Sequence, residues 1–460
     1  MADFHAHVVV SDTTVPVISG NRPSFLNLDN AASTPPFEQT LTAINEFAPW
    51  YSSVHRGGGF KSRLSTYAYE ACRRIVGEFF GADPKDYVVI FGKNTTEALN
   101  KLAYRLPLRK TDIVLISHME HHSNDLPWRA RATVKRIGVT ADGRVDRHHF
   151  LSLLEKYAGR VRLVSISGAS NVTGYMPDIY WFARKAHAAG AQIAVDCAQL
   201  AAHRRIRVGT LSDPAHLDYI ACSAHKMYAP FGTGVLVGRR DTFTRGEPEY
   251  RGGGTVTLVT PQQVDWAAPP DCEEAGTPNV LGVVALAQSL RVLETIGMDR
   301  VAAHEADLLA YALEGMRAVP GITLYGDTDP TRLDDRLGII SFSLAAMPVQ
   351  LVAAILDYEW DIGVRSGCFC AHPYVMTLLN LDSKERHRVR YDLLHRRRDR
   401  LPGMVRVSFG LYNTRQDVDR LVEALRALAN GQHAAYELDI ATGMYTPVGL
   451  REDFTHYFTL

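Results

Sequence analysis

The sequence predicts an α/β fold: a mostly parallel sheet covered by helices on both faces, followed by a smaller α+β domain. Three observations carry that expectation. From about residue 70 to 300, short apolar runs alternate with helical stretches. The runs are continuously apolar, the pattern of strands buried on both faces. After about residue 300, long helices flank isolated strands instead. A chain of 460 residues has room for two such domains.

In chain order the strands are DYVVIFG (86–92), DIVLIS (112–117), VRLVSIS (161–167), QIAVDCA (192–198), LDYIACS (217–223) and GVLVG (234–238). Between them, PDIYWFARKAHAAG (177–190) has helical periodicity and closes on a glycine, a natural helix stop. The later region offers helices at 301–319 and 416–430 and strands GIISFSL (338–344) and MVRVSFG (404–410). The stretch KERHRVRYDLLHRRRDR (384–400) holds eight Lys/Arg against three acids and reads as a solvated, charged insertion.

Lys+Arg and Asp+Glu both number 50, so the chain is formally neutral. That gives no support to a nucleic-acid or membrane-surface partner. No apolar run reaches the roughly 18 residues of a membrane span. The N-terminal MADFHAHVVVSDTTVPV has no basic segment followed by a long apolar one, so no signal peptide is expected. Six cysteines (72, 197, 222, 272, 368 and 370) are too sparse for a disulfide framework. Reduced thiols in the cytoplasm are the expectation. No C-x-x-C pair is present, and no metal site is expected.

In a parallel sheet, ligands bind beyond the carboxyl ends of the strands, so the residues just after each strand matter most. Lys226 stands there, behind Ser223 and His225 and ahead of Gly232 and Gly234. Three readings are open: a snorkelling surface lysine, a phosphate ligand, or an amine that forms a Schiff base with an aldehyde cofactor. Ser223 and His225 can each donate to a phosphate. Asp196, at the end of QIAVD, reads as an N-cap or as the partner of a protonated pyridine nitrogen, with Gln199 in reach of a ring hydroxyl. Asn171 stands at another strand end. Thr95 and Thr96, in GKNTTEALN, lead into a helix and suit either an anion site or plain capping. His121 and His122, in MEHHSN, are a stacking ring for a cofactor or a pair of satisfied loop histidines. Arg365 and Arg406 can clamp a carboxylate bidentately. Cys370, with Cys368 two residues before it, is a nucleophile only if its thiol is activated.

Taken in order, LNLDNAASTPP, VHRGG, NTTEALN, MEHHSNDLPW, SNVTGY, VDCAQL, SAHKMYAPFGTGVL, EEAGTPN, RSGCFCAHP, VRVSFGLYNT and LYNTRQDVDRLVEAL resemble the class V, fold-type I pyridoxal-phosphate enzymes, within them the cysteine desulfurase/selenocysteine lyase branch. The resemblance spans residues 26–425. It implies a seven-stranded large domain at 41–298 that binds pyridoxal 5'-phosphate. It also implies a small domain at 299–430 carrying the insertion at 382–402, an N-terminal segment 1–40 packing on the small domain, and a C-terminal extension 431–460.

By resemblance, Lys226 is the lysine that binds the cofactor covalently and His121 the ring stacked on it. Asp196 partners the pyridine nitrogen and Gln199 the phenolic oxygen. Thr96, Ser223 and His225 contact the phosphate. Thr277 reaches the phosphate in a neighbouring subunit, which implies a homodimer with shared sites. Arg406 holds the substrate carboxylate, and Cys370 accepts sulfur as a persulfide. The implied reaction takes sulfur from L-cysteine, or a related thiol or selenol amino acid, for a possible acceptor protein. A class V C–S lyase, epimerase or aminotransferase is the alternative; an idle scaffold fits poorly with Lys226, Asp196 and His121 together. Cys-Phe-Cys at 368–370 departs from the histidines that desulfurases carry before the cysteine, and looks more like the loop of molybdenum-cofactor sulfurases.

Overall fold

The computed structural model describes residues 4, 7–9, 15, 17–18, 24–329, 331–345, 347–398 and 401–459. Parts of the expected N-terminal segment (1–3, 5–6, 10–14, 16 and 19–23) and residues 399–400 of the basic insertion lie outside the described residues.

After the short strand β1 (Leu26–Asn27), seven strands build a large sheet: β2 (Tyr87–Gly92), β3 (Ile113–Ser117), β4 (Thr133–Ile137), β5 (Val161–Ser167), β6 (Gln192–Asp196), β7 (Tyr219–Ser223) and β8 (Gly234–Arg239). Their order is β2-β8-β7-β6-β5-β3-β4. Strand β8 runs antiparallel to both β2 and β7, and the remaining pairs are parallel. The sheet is therefore mostly parallel, as the continuous apolar runs imply. The seventh strand, β4, reads TVKRI; it is an edge strand, half-exposed along most of its length, so no apolar run marks it.

Helices α1 (Glu38–Phe47) and α2 (Phe60–Phe80) precede the sheet, α3 (Thr95–Arg105), α4 (Leu126–Arg131), α5 (Arg147–Lys156) and α6 (Ile179–Ala188) connect its strands, and α7 (Arg240–Phe243) follows its last strand. Local chemistry sets their ends. The Asn94 side chain accepts the Glu97 N–H at the start of α3, and Asp178 accepts the Trp181 N–H at the start of α6. Gly190, with φ of 75°, follows the end of α6, a left-handed position that glycine takes without steric cost.

A hairpin of β9 (Val256–Val259) and β10 (Val264–Trp266) leads to α8 (Val280–Ile296) and α9 (Met298–Arg317). No single helix among the described residues is long and apolar enough to cross a membrane; α8 and α9 approach that length only as a pair bent by 76°.

The later region holds β11 (Ile322–Tyr325), β12 (Ile339–Leu344), α10 (Val349–Trp360), β13 (Ile362–Gly363), β14 (Arg365–Gly367), α11 (His372–Leu378), α12 (Ser383–Leu394), β15 (Met404–Ser408) and α13 (Arg415–Ala429). Strands β11-β12-β15-β14 form an antiparallel sheet in that order. Its core gathers Phe342, Val352, Leu356, Val405, Val407 and Leu421, and Leu26 and Leu28 are buried in it. Strand β1 pairs parallel with β13. A last hairpin joins β16 (Tyr436–Asp439) to β17 (Met444–Pro447).

Candidate active site

The carboxyl ends of three neighbouring parallel strands meet at one place. Ser167 ends β5 opposite Asp196 at the end of β6, and Ser223 ends β7. Lys226 follows in a single turn after β7, held by Met227 N–H bonding back to the Ala224 carbonyl at 2.8 Å. These ends open into a cleft of about 260 Å³. Thr95, Thr96, His121, Asn171, Gln199 and His225 line it from the large sheet's side, and Arg365, Cys370 and Arg406 from the small sheet's side. The structure thus brings together twelve of the residues singled out from sequence, Asp196, Ser223 and Lys226 included. Thr277 stands apart: it is exposed and lines a separate cleft with His55, Arg56, Gly253 and Gly254.

The start of α3 is built against β7 and β8. Thr95 N–H donates to Ser223 Oγ at 2.8 Å, and the two hydroxyls lie 2.7 Å apart. Gly234 permits this approach, because a Cβ there would sit 2.4 Å from the Asn94 Cα. The N-terminus of an eleven-residue helix therefore faces the strand-end hydroxyls, an arrangement that favours an anion.

The His121 ring has a fixed tautomer. Its Nδ1 accepts the Ser123 N–H at 3.1 Å, so the proton of the neutral ring is on Nε2. Ser123 Oγ also lies 3.0 Å from this Nδ1 and 2.7 Å from the Thr96 hydroxyl, linking ring to helix start. Burial and then the Lys226 charge push the His121 pKa down to about 4, which keeps the ring neutral at physiological pH. His122 points elsewhere and stacks on His372 with centroids 4.9 Å apart. That settles which of the two adjacent histidines faces the cleft.

Burial lowers the Lys226 pKa to about 8, opposed mainly by Asp196. The Asp196 carboxyl is itself pushed up by burial, against the Ala198 N–H it accepts at 3.0 Å and the Lys226 charge. The low-dielectric site thus supplies an amine much of which is neutral near pH 8. His225 is held at about 4 by burial and by Lys226. Gln199 Nε2 donates to the Ala31 carbonyl at 2.8 Å, which fixes the side-chain amide on the cleft wall.

Across the cleft, Arg406 is 3 % exposed. It donates to the Asn171 carbonyl at 3.0 Å and to Asp29 Oδ1 at 2.8 Å, while its buried Nε has no hydrogen-bond partner among the described residues. Arg365 Nη1 lies 3.8 Å from the other Asp29 oxygen. One acid thus faces two guanidinium groups, leaving donor capacity that suits a carboxylate ligand. Asp29, Ala31 and Ser123 are not among the residues singled out from sequence. Asp29 and Ala31 sit in LNLDNAAS and Ser123 follows the histidine pair, so the segments were in view although these residues' contacts were not.

Cys370 is exposed on a turn closed by Ala371 N–H to the Cys368 carbonyl at 2.8 Å. Both central residues are left-handed, Phe369 at φ 51° and Cys370 at φ 54°, a strained choice for non-glycine side chains. Asn171 Nδ2 donates to the Phe369 carbonyl at 2.7 Å, and His122 N–H to the Cys370 carbonyl at 2.8 Å. The Arg406 guanidinium lies 4.9 Å from the centre of the Phe369 ring. Cys368 is partly buried, its thiol donates to the Pro402 carbonyl at 3.3 Å, and burial raises its pKa to about 11.

The family model for class-V aminotransferases matches residues 26–421. A probable cysteine desulfurase of Staphylococcus aureus (strain COL) is 33% identical over 434 residues, covering 92% of this chain and 96% of that protein. A probable cysteine desulfurase of Streptomyces coelicolor is 34% identical over 417 residues, with coverages of 88% and 92%. The apo structure of a cysteine desulfurase from Thermococcus onnurineus NA1 superposes with a TM-score of 0.77 at 30% identity, over 88% of this chain and 95% of that one. The chain belongs to the class-V aminotransferase family of pyridoxal-phosphate-dependent, fold-type I enzymes, and within it to the cysteine desulfurase-like enzymes.

Proposed function

We propose that this enzyme removes sulfur from L-cysteine, or from a related thiol or selenol amino acid, and carries it as a persulfide on Cys370. The observation that carries the reading is the exposed Cys370 thiol on a strained turn over the cleft that holds Lys226.

The cleft fits pyridoxal phosphate. The start of α3, Thr96, Ser223 and His225 would hold its phosphate, and the buried Asp196 its ring nitrogen. Gln199 would hold its phenolic oxygen, the neutral His121 ring its face, and the Lys226 amine its aldehyde carbon. When bound, the cofactor supplies an electron-withdrawing ring that acidifies the substrate Cα–H. Arg406 and Arg365 orient the substrate carboxylate. Lys226 takes the Cα proton, a task suited to an amine poised near 8. The Cys370 thiolate attacks the substrate sulfur and the C–S bond breaks. The balance is cysteine plus enzyme thiol to alanine plus enzyme persulfide.

A homodimer with shared sites also belongs to this reading, since Thr277 is exposed outside the Lys226 cleft. All six cysteines are unpaired in the fold, the state a reducing cytoplasm maintains, and we place the enzyme there.

The product set from L-cysteine tests the reaction. Alanine with a persulfide that maps to Cys370 is expected. In Cys370→Ser, alanine formation should fall by at least about a hundredfold while Lys226 is still trapped by borohydride with the cofactor. Pyruvate with sulfide and ammonia, or a Cys370→Ser variant of undiminished turnover, replaces the desulfurase with a lyase.

A further inference from the structure

The basic insertion ends against the cysteine loop. Helix α12 is preformed by a capping box between Asp382 and Glu385. It is pinned by Arg386, whose Nε donates to the Leu381 carbonyl at 2.9 Å and whose Nη2 donates to the Thr377 hydroxyl at 3.3 Å. Val389 and Asp392 are buried, and the rest of its surface is largely exposed. Lys384, Arg388, Arg390, Arg396, Arg397 and Arg398 are all exposed, in a chain whose formal charge is zero. The same segment exposes Tyr391 at 54% and Leu394 at 71%.

Further contacts tie this segment to its surroundings. At its far end, Pro402 accepts the Cys368 thiol, and Gly403 presses on Gly367 so closely that a Cβ would sit 2.7 Å from the Gly367 Cα. Before that, Arg398 N–H donates to the Ile440 carbonyl at 3.3 Å. Ile440 and Met444, at the tip of the β16–β17 hairpin, are 60% and 61% exposed. This hairpin lies beyond the region matched by the family model. Exposed cations and exposed apolar side chains therefore adjoin on a segment anchored to the Cys368–Cys370 turn.

We propose that α12, the arginines after it and the β16–β17 tip form a docking face for an acidic protein whose thiol takes the sulfur from Cys370. The proposal rests on the persulfide reading above. Positive charge steers an acidic partner and sets its orientation. Arginine, tyrosine and methionine, all exposed here, are enriched at protein interfaces. A nucleic-acid surface needs a series of stacking rings, and this face offers Tyr391, which is stacked with His395 at 3.9 Å. The transfer balances: the partner thiolate attacks the outer sulfur of the Cys370 persulfide, and the Cys370 thiolate leaves with the proton balance unchanged.

The test uses the holoenzyme with three thiol peptides of equal length, in acidic–leucine, serine–leucine and lysine–leucine contexts. With Cys370 preloaded, transfer to the acidic peptide should be about tenfold faster than to the serine peptide at low ionic strength. The advantage should shrink at high salt and in R388E/R390E, whose transfer to dithiothreitol is unchanged. Binding of the same peptides with serine for cysteine, followed by fluorescence anisotropy, reads docking without sulfur chemistry. Preference for the acidic peptide that R388E/R390E abolishes supports the face, even if no persulfide forms and the desulfurase reading falls. Equal binding of the three peptides, a preference indifferent to R388E/R390E, or displacement of the acidic peptide by duplex DNA at equal charge concentration overturns it.

Discussion

The Asn171 side-chain amide donates to the Phe369 carbonyl at 2.7 Å, while its own backbone carbonyl accepts from Arg406 at 3.0 Å. One residue in the loop after β5 thus holds both the cysteine turn and the Arg406 guanidinium. The left-handed backbone of Phe369 and Cys370 is unfavourable on its own and needs such contacts. Asn171→Ala should therefore loosen the turn. Exchange of the Ala371 amide, which closes the turn, should accelerate about fivefold for the loss of about 1 kcal/mol. Hydrogen exchange that leaves this amide as protected as in the wild type would show that the turn holds itself.

Lys226 provides a pH test. Burial places its folded-state pKa near 8, below the usual lysine value. The fraction of neutral amine therefore rises through pH 8, and the initial rate of trapping with pyridoxal phosphate and borohydride should level off above that pH. Asp196 is the largest charge favouring the protonated amine. In Asp196→Asn the titration should move to lower pH. A profile that climbs toward pH 10 in the wild type, or moves up in the variant, contradicts this account of the site.

Glu120 is buried directly before His121, and burial raises its pKa to about 7 against the donors that favour its ionised form. Its Oε1 accepts the Ser167 N–H at 3.0 Å, and its Oε2 accepts the Asn124 amide and the Ser167 hydroxyl, both at 2.6 Å. The Asn124 oxygen is occupied by the Trp128 and Ser165 donors, so its amide cannot turn round. Glu120→Gln then sets two amide donors against each other, at a cost of about 1–3 kcal/mol. The sign of the pH dependence follows from the raised pKa. Stability contributed by Glu120 is fully present below its unfolded value near 4.5 and lost as pH rises through 7. The deficit of the variant in urea unfolding should be largest near pH 5 and smallest near pH 8.

The large sheet was legible where strands are buried on both faces, because six runs of apolar residues mark them. Strand β4 was not, since an edge strand with Lys135 and Arg136 carries no such run. Lys226, Asp196 and Asn171 could be picked out because chemistry-bearing residues at strand ends face the ligand site of a parallel sheet. Asp29 could not, because its role depends on a contact with Arg406 across 377 positions of chain. The turn at Phe369 and Cys370 was equally hidden. Left-handed backbone is signalled by glycine or asparagine, and here the central residues are a phenylalanine and a cysteine.

The last prediction concerns Thr277, which no contact within one chain brings to the Lys226 cleft. It follows Gly276 in a separate cleft beside Arg56, whose Nη2 donates to the Val256 carbonyl at 3.4 Å. The adjoining β9 strand exposes Leu258 at 54% and Val259 at 56%, apolar surface that a second copy would cover. If that copy's Thr277 completes each site, Lys226→Ala and Thr277→Ala damage different components of the same site. A mixed dimer then contains one site with its own Lys226 and its partner's Thr277 both intact. Unfolding and refolding the two inactive variants together should restore alanine production at about one competent site per mixed dimer, while each variant refolded alone stays inactive. No recovery on mixing, in a sample shown by mass spectrometry to contain mixed dimers, places Thr277 outside the site. A monomer by sedimentation with full activity removes the shared-site dimer altogether.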